Sequence, residues 1–136
     1  MKTAIQIRPH QKVKSGWFDN GRKRYYMRSG WEINYAYYLE FQVLHGLIKD
    51  WFYEKDEFWF PGIKRGCRSY LPDFKIINND GSIEYHEVKG YMDQKSRTKL
   101  ARMSRYYPDV KVEVINSVRY RAIMKSAGLF IPKGGE

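Results

Sequence analysis

The sequence contains a single cysteine, Cys67, so no internal disulfide can form and a cysteine-based zinc site has no ligand set. Long apolar runs are missing as well: no uncharged hydrophobic stretch approaches the ~20 residues that a membrane-spanning helix needs. The opening segment, Met1-Lys2-Thr3-Ala4-Ile5-Gln6-Ile7-Arg8, lacks the apolar core of an export signal, which predicts a cytoplasmic location. No internal repeat, low-complexity tract or Pro/Ser-rich linker divides the 136 residues, so they read as one domain. Acidic residues are scarce. Against 25 Lys+Arg there are 15 Asp+Glu, a formal charge of +10.

What the chain does have is basic charge mixed with aromatic rings: four Trp, twelve Tyr and seven Phe. Cations neutralise phosphate while rings pack or stack, so this mixture suits a nucleic-acid partner. The plainer reading is a basic protein with a tyrosine-rich core. Length permits such a core, since a chain of ~150 residues buries roughly two-thirds of its unfolded surface.

Residues 8–28 carry Arg8, Lys12, Lys14, Arg22, Lys23, Arg24 and Arg28 around the turn signal Asp19-Asn20-Gly21, and read as a basic arm or short hairpin pinned by Trp17, Phe18, Tyr25 and Tyr26. Ser29-Gly30-Trp31-Glu32 has the form of a capping box and starts a helix that His45-Gly46 closes. Short apolar segments follow at 48–53 and 58–60. Stretches 69–77 and 82–89 read as two strands of a hairpin turned by Asn78-Asn79-Asp80-Gly81. A helix is predicted over 93–107, a strand over 110–115 and a last helix over 117–127, with Gly128 just past its end. The order is α-β-β-β-β-α-β-α, and its βαβ unit makes the last two strands parallel. An α/β fold with a mixed sheet flanked by helices results.

The chemically informative stretch is Pro72-Asp73, followed after 13 intervening residues by Glu87-Val88-Lys89. Side chains alternate along a strand, so Glu87 and Lys89 project together while Val88 faces the core. The hairpin brings Asp73 alongside. Two neighbouring carboxylates repel unless a cation neutralises them, and hard oxygen ligands select Mg²⁺, with Mn²⁺ able to substitute. A lysine on the same face can orient water and offset developing negative charge, which completes the parts for metal-assisted phosphodiester hydrolysis. Blander readings stand beside this one: Asp73 as a strand-end residue, Glu87 and Lys89 as a surface pair, Glu32 as a helix cap. His86, on the opposite face, reads as core or solvated, and Cys67 as a loop residue.

The pattern Asp73…Glu87-Val88-Lys89, with Pro72-Asp73 as its literal "PD", resembles the PD-(D/E)XK nuclease superfamily. The resemblance covers roughly 28–115 as a catalytic core, leaving 1–28 as a basic arm and 116–136 as a terminal helix and tail. It implies a restriction-endonuclease-like core in which Glu32, Asp73, Glu87 and Lys89 are catalytic. Asp73, Glu87 and the Val88 carbonyl hold the metal, and Glu32 stands in an outer shell. The short basic form looks most like archaeal-type Holliday-junction resolvases and small phage structure-specific nucleases. That implies a homodimer cutting a four-way DNA junction in a bacterial or phage-infected host cell, acting in recombination or phage DNA processing. The competing readings are a non-catalytic nucleic-acid-binding module and a nicking or transposase-type nuclease of the same fold.

Basic residues fall where such a site would meet DNA. Lys95, Lys99, Arg102 and Arg105 form one stripe along the 93–107 helix, although a charged stripe is also the ordinary solvated face. Gln94 and Lys95 sit in its first turn, where exposed N–H groups favour phosphate. Lys64, Arg65 and Arg68 form a basic loop leading to Asp73, and Arg28 and Ser29 flank Glu32. The aromatic surplus in Trp51, Phe52, Tyr53, Phe58, Trp59 and Phe60 exceeds what one small core is expected to bury. Those segments, or Leu129-Phe130-Ile131, are therefore expected at a dimer interface.

Overall fold

The structure, a computed structural model, describes residues 14–128. Their contacts divide them into two compact units, 14–47 with 117–128, and Ile48–Asn116.

In the first unit, β1 (Gly16–Asp19) and β2 (Arg24–Met27) form an antiparallel hairpin in which Gly16 faces Met27 and Asp19 faces Arg24. The turn needs a left-handed residue, and Gly21 supplies it at φ +86°. Of the two forms expected, an arm or a short hairpin, the described part is a hairpin; its buried face carries Phe18 and Met27, whereas Trp17 and Tyr26, expected to pin it, stay about half exposed. Residues 8–13 lie outside the described residues. α1 (Gly30–Leu44) begins where the capping box places it. Ser29 Oγ accepts from the Glu32 amide at 3.2 Å, and Glu32 Oε1 accepts from the Arg28 amide at 3.0 Å. One orphan amide of the first turn is satisfied in this way, and the Glu32 carboxylate ties down the residue just before the cap. α3 (Ser117–Ser126) packs through Tyr120, which stacks on Trp31 at 4.1 Å and accepts a hydrogen bond from Asn34 at 2.8 Å. Burial pushes the Tyr120 phenol up to about 12, although the Asn34 hydrogen bond pulls the other way. A buried Glu40 on α1 accepts from Arg22 and Asn20 of the hairpin turn, so the charge is paired where it is desolvated.

In the second unit a four-stranded sheet runs β3 (Asp50–Tyr53), β6 (Phe74–Ile77), β7 (Ile83–Val88), β8 (Lys111–Ile115). β3–β6 and β6–β7 are antiparallel, and β7–β8 is parallel across α2 (Gln94–Tyr106), as the βαβ reading requires. The β6–β7 turn closes with Asn78 and Gly81, which adopts φ +88°, while Asp80 accepts from the Ser82 amide and hydroxyl. α2 has Asp93 as its N-cap, accepting from the Ser96 amide at 2.8 Å.

The single strand expected over 69–77 is corrected. Pro72 has no amide to donate, and the stretch breaks at residues 71–73 into β5 (Ser69–Tyr70) and β6. β5 pairs instead with β4 (Phe58–Trp59) in a separate two-stranded ribbon. The sheet therefore has four strands in the order just given; the short strand expected over 58–60 forms but pairs with β5 in the ribbon, and the β1–β2 hairpin precedes the first helix of the expected string. The ribbon is packed by Phe60, Tyr70 and Met103, with Leu100 and Tyr106 of α2 against them.

The expected surplus of exposed rings is corrected as well. Trp51, Tyr53 and Phe60 are buried, Phe52 and Phe58 are half-buried, and only Trp59 stands out, at 54 % exposed. Trp51 and Tyr53 alternate onto the face that carries Phe74 and Ile76, and Phe58 packs edge-on against Tyr85, centroids 5.2 Å apart. Leu129-Phe130-Ile131 lie outside the described residues. Trp51→Ala is expected to lower stability by about 3–5 kcal/mol, whereas Trp59→Ala should change it by about 0.5 kcal/mol or less. Denaturant melts of the two variants check this, and equal losses would restore the unburied-ring picture.

Candidate active site

β7 is longer than the neighbour that feeds it. Its register with β6 begins at Phe74↔His86, so the Val88 amide points toward a strand that Pro72 has already ended. The Asp73 carboxylate takes the vacant place: Asp73 Oδ2 accepts from the Val88 amide at 2.9 Å. The tie is reciprocal. Glu87 Oε1 accepts from the Asp73 amide at 3.3 Å and from the Tyr70 hydroxyl at 2.9 Å. The Asp73 carbonyl meanwhile accepts from Glu54 at 2.8 Å, on the β3 side. Asp73 and Glu87 are thus brought together by backbone that would otherwise be left unpaired.

On the other edge of β7, the Lys89 amide donates to the Ile115 carbonyl at 3.0 Å. This keeps the strand extended one residue further and holds Lys89 on the same face as Glu87. Val88 points the other way and is buried. Glu87 and Lys89 line a small cleft of about 50 Å³ together with Tyr70, and Ser96, Lys99 and Leu100 close it from α2. Met92 lies between. Asp73, 2 % exposed, is not among the residues lining this cleft and joins it through Glu87. Burial pushes the Tyr70 phenol well above its ordinary range, and the negative charge of Glu87 and its hydrogen bond push it the same way. Tyr70 therefore stays a donor to Glu87.

Further along the same face of β7, the Tyr85 hydroxyl donates to Asp56 Oδ2 at 2.5 Å, and Lys75 Nζ lies 2.8 Å from that oxygen. Burial works to raise the Asp56 carboxyl, but the Lys75 and Tyr85 hydrogen bonds outweigh it and hold the group below its usual value. On the opposite face His86 is half-buried, with Nε2 3.2 Å from Glu84. It has a carboxylate partner and is neither an apolar core residue nor simply solvated.

The two basic elements form one surface. Arg102 Nη1 donates to the Cys67 carbonyl, and Cys67 Sγ lies 3.7 Å from the Lys95 carbonyl, so the 63–68 loop is stitched to α2. Cys67 thus has a tethering place in its loop. Lys64, Arg65 and Arg68 on that loop are exposed, as are Gln94 and Lys95. Lys99 reaches the cleft, while Arg102 is partly occupied by the tether.

Glu32, Arg28 and Ser29 belong to the first unit. There Ser29 Oγ and the Glu32 carboxylate cap α1, and Arg28 Nη2 lies 3.7 Å from Glu32 Oε2. The cleft is built from the second unit alone.

Tyr70, Ser96 and the Asp56–Lys75–Tyr85 cluster are the site features the sequence reading passed over. A tyrosine three residues ahead of Asp73 was the available signal for the first. Ser96 is marked only by its place in the turn that Asp93 caps.

No curated protein and no solved structure matches the chain. A family model matches residues 24–122, which take in every residue of the cleft, and the chain belongs to that family, described as a protein of unknown function (DUF1064).

Proposed function

We propose that the chain is a Mg²⁺-dependent, structure-specific DNA endonuclease with a restriction-endonuclease-like core. The observation that carries this reading is the convergence of the Asp73 and Glu87 carboxylates on facing backbone, with Lys89 beside Glu87 in one cleft.

The donor set fits the ion. Among the described residues no group of three or more His, Cys, Asp or Glu gathers around one point. Mg²⁺ does not ask for one, because it is commonly held by one or two carboxylates and fills its remaining positions with water and substrate phosphate. Asp73, Glu87 and the Val88 carbonyl would hold it, all hard oxygen donors. When bound, the ion supplies Lewis acidity at the phosphate and lowers the pKa of a water ligand.

The residues of the chain do the rest. Tyr70 donates to Glu87 and fixes the direction of that carboxylate, as outer-shell donors do around metal ligands. Lys89 orients the attacking water and offsets charge developing on the phosphate oxygens. Ser96 and Lys99 meet the phosphate from α2, and Lys64, Arg65, Arg68, Gln94, Lys95 and Arg102 follow the DNA backbone on either side. Water attacks phosphorus in line, the bond to the 3′ oxygen breaks, and a 3′-hydroxyl and a 5′-phosphate remain. Ser29 and Glu32 cap α1 and Arg28 pairs with Glu32 within the first unit; the proposed chemistry rests on the cleft of the second unit and gives them no part in it. The substrate we favour is a four-way junction cut by a homodimer, whose twofold symmetry matches two equivalent strands.

Purified protein with Mg²⁺ is expected to cut branched DNA. Asp73→Asn or Glu87→Gln should reduce the rate by about a thousandfold or more, and EDTA should abolish it. Cutting that persists in EDTA or in Asp73→Asn would refute the reading. Tyr70→Phe should keep the fold and raise the Mg²⁺ concentration needed for half-maximal rate by about 10–100-fold, with less effect on the rate at saturating metal. An unchanged metal dependence removes Tyr70 from the site. On a labelled four-way junction we expect paired cuts at two symmetric positions and a sedimenting dimer. One unpaired nick by a strict monomer points instead to the nicking type of nuclease.

A further inference from the structure

The solvent face of the β1–β2 hairpin carries a cluster that neither the hairpin core nor the cleft uses. Trp17 and Tyr26 are register partners, and both stay about half exposed, at 52 % and 51 %. Their rings meet edge to face, 75° apart with centroids 5.3 Å distant. Arg24 sits diagonally across the ladder from Trp17 and lays its guanidinium over the indole, 3.9 Å from the ring centroid. The Tyr26 hydroxyl donates to Ser15 Oγ at 2.6 Å, which fixes the ring. The hairpin's own packing comes from its other face, where Phe18 and Met27 are fully buried.

Two large rings side by side in water mark a surface that meets something. Charge decides what. Between residues 14 and 28 stand Lys14, Arg22, Lys23, Arg24 and Arg28 against Asp19; Arg22 pairs with Glu40 and Arg28 with Glu32 of α1, and the chain as a whole carries a net charge of +10. A partner that brings both repeated anions and flat unsaturated faces is a nucleic-acid strand with its bases unstacked. A duplex would offer the same phosphates but keeps its base faces inside the stack.

We propose that Trp17, Tyr26 and Arg24 form a base-stacking platform for an unpaired nucleic-acid strand. Bases lie on the exposed surface of the two rings, and the strand's phosphates meet Arg24 and the neighbouring cations. Arg24 Nε lies 3.3 Å from Asp19 Oδ2, and both side chains are exposed at half or more. Such a solvated pair is weak, so it orients the guanidinium over the ring and yields to a phosphate. The platform stands on the hairpin alone and does not depend on whether the cleft hydrolyses DNA.

The test is fluorescence anisotropy in EDTA with labelled oligothymidylate, with a duplex of equal length, and with polyglutamate as the anionic peptide. Trp17→Ala is expected to weaken oligothymidylate binding by roughly 5–100-fold, the range of one lost base–aromatic stack, and to change duplex binding less than about twofold. Trp17→Phe, which keeps a ring, should retain most of the affinity. Photocrosslinking of a 5-iodouracil oligonucleotide to the unaltered protein should map to Trp17 or Tyr26, a readout that needs no variant to fold. Equal losses on duplex and oligothymidylate, or crosslinks found only elsewhere, overturn the proposal. So does binding of polyglutamate, and not of oligothymidylate, that depends on Trp17.

Discussion

The second unit turns on a place where a strand runs out. β6 begins at Phe74, two positions short of the end of β7, and the Val88 amide would be left facing an empty edge. The Asp73 carboxylate fills that place at 2.9 Å, and Glu87 answers by accepting from the Asp73 amide. An unmet buried amide costs on the order of 1–3 kcal/mol, so the fold has its own reason to draw these two acids together. The same exchange sets two carboxyl groups close together, and the proposed divalent cation would neutralise them there. The strand end and the proposed metal chemistry therefore rest on the same pair of hydrogen bonds.

Around that exchange the remaining parts follow from strand alternation and one helix. Glu87 and Lys89 share a face because they are two residues apart, and the parallel partner β8 keeps Lys89 in register through the Ile115 carbonyl. α2 arrives from the obligatory crossover and brings Ser96 and Lys99 to the cleft. Its Arg102 gathers the basic loop through the Cys67 carbonyl, so charges far apart in sequence form one surface. Tyr70, on the ribbon, reaches Glu87 because its own strand pairs with β4 and leaves the main sheet.

Much of this was legible from residue types. Asp80-Gly81 demands a left-handed turn, and the hairpin is there; Ser29 and Asp93 are capping residues, and both cap. The pairing of Asp73 with Glu87 follows from the turn that joins their strands. The break at Pro72 was less legible, because residues 69–77 look like one β-rich run and only tertiary pairing sends Tyr70 to a different partner. Ring burial was misjudged for a related reason. Composition counts aromatics but not the faces that receive them, and Trp51 and Phe60 find cover on elements distant in sequence. Buried polar groups such as Asn34 and Glu40 were invisible for the same reason, since their partners Tyr120 and Arg22 lie on other elements.

The central claim is that the Asp73–Glu87 pair exists to hold a divalent cation, and calorimetric titration with Mn²⁺ in the absence of DNA tests it most directly. The account predicts saturable Mn²⁺ binding to the unaltered protein and its loss in both Asp73→Asn and Glu87→Gln, with each variant still melting cooperatively. Tight DNA binding by a protein that takes up no Mn²⁺, or Mn²⁺ uptake that both variants retain, would contradict it and leave the carboxylates as a purely structural tie.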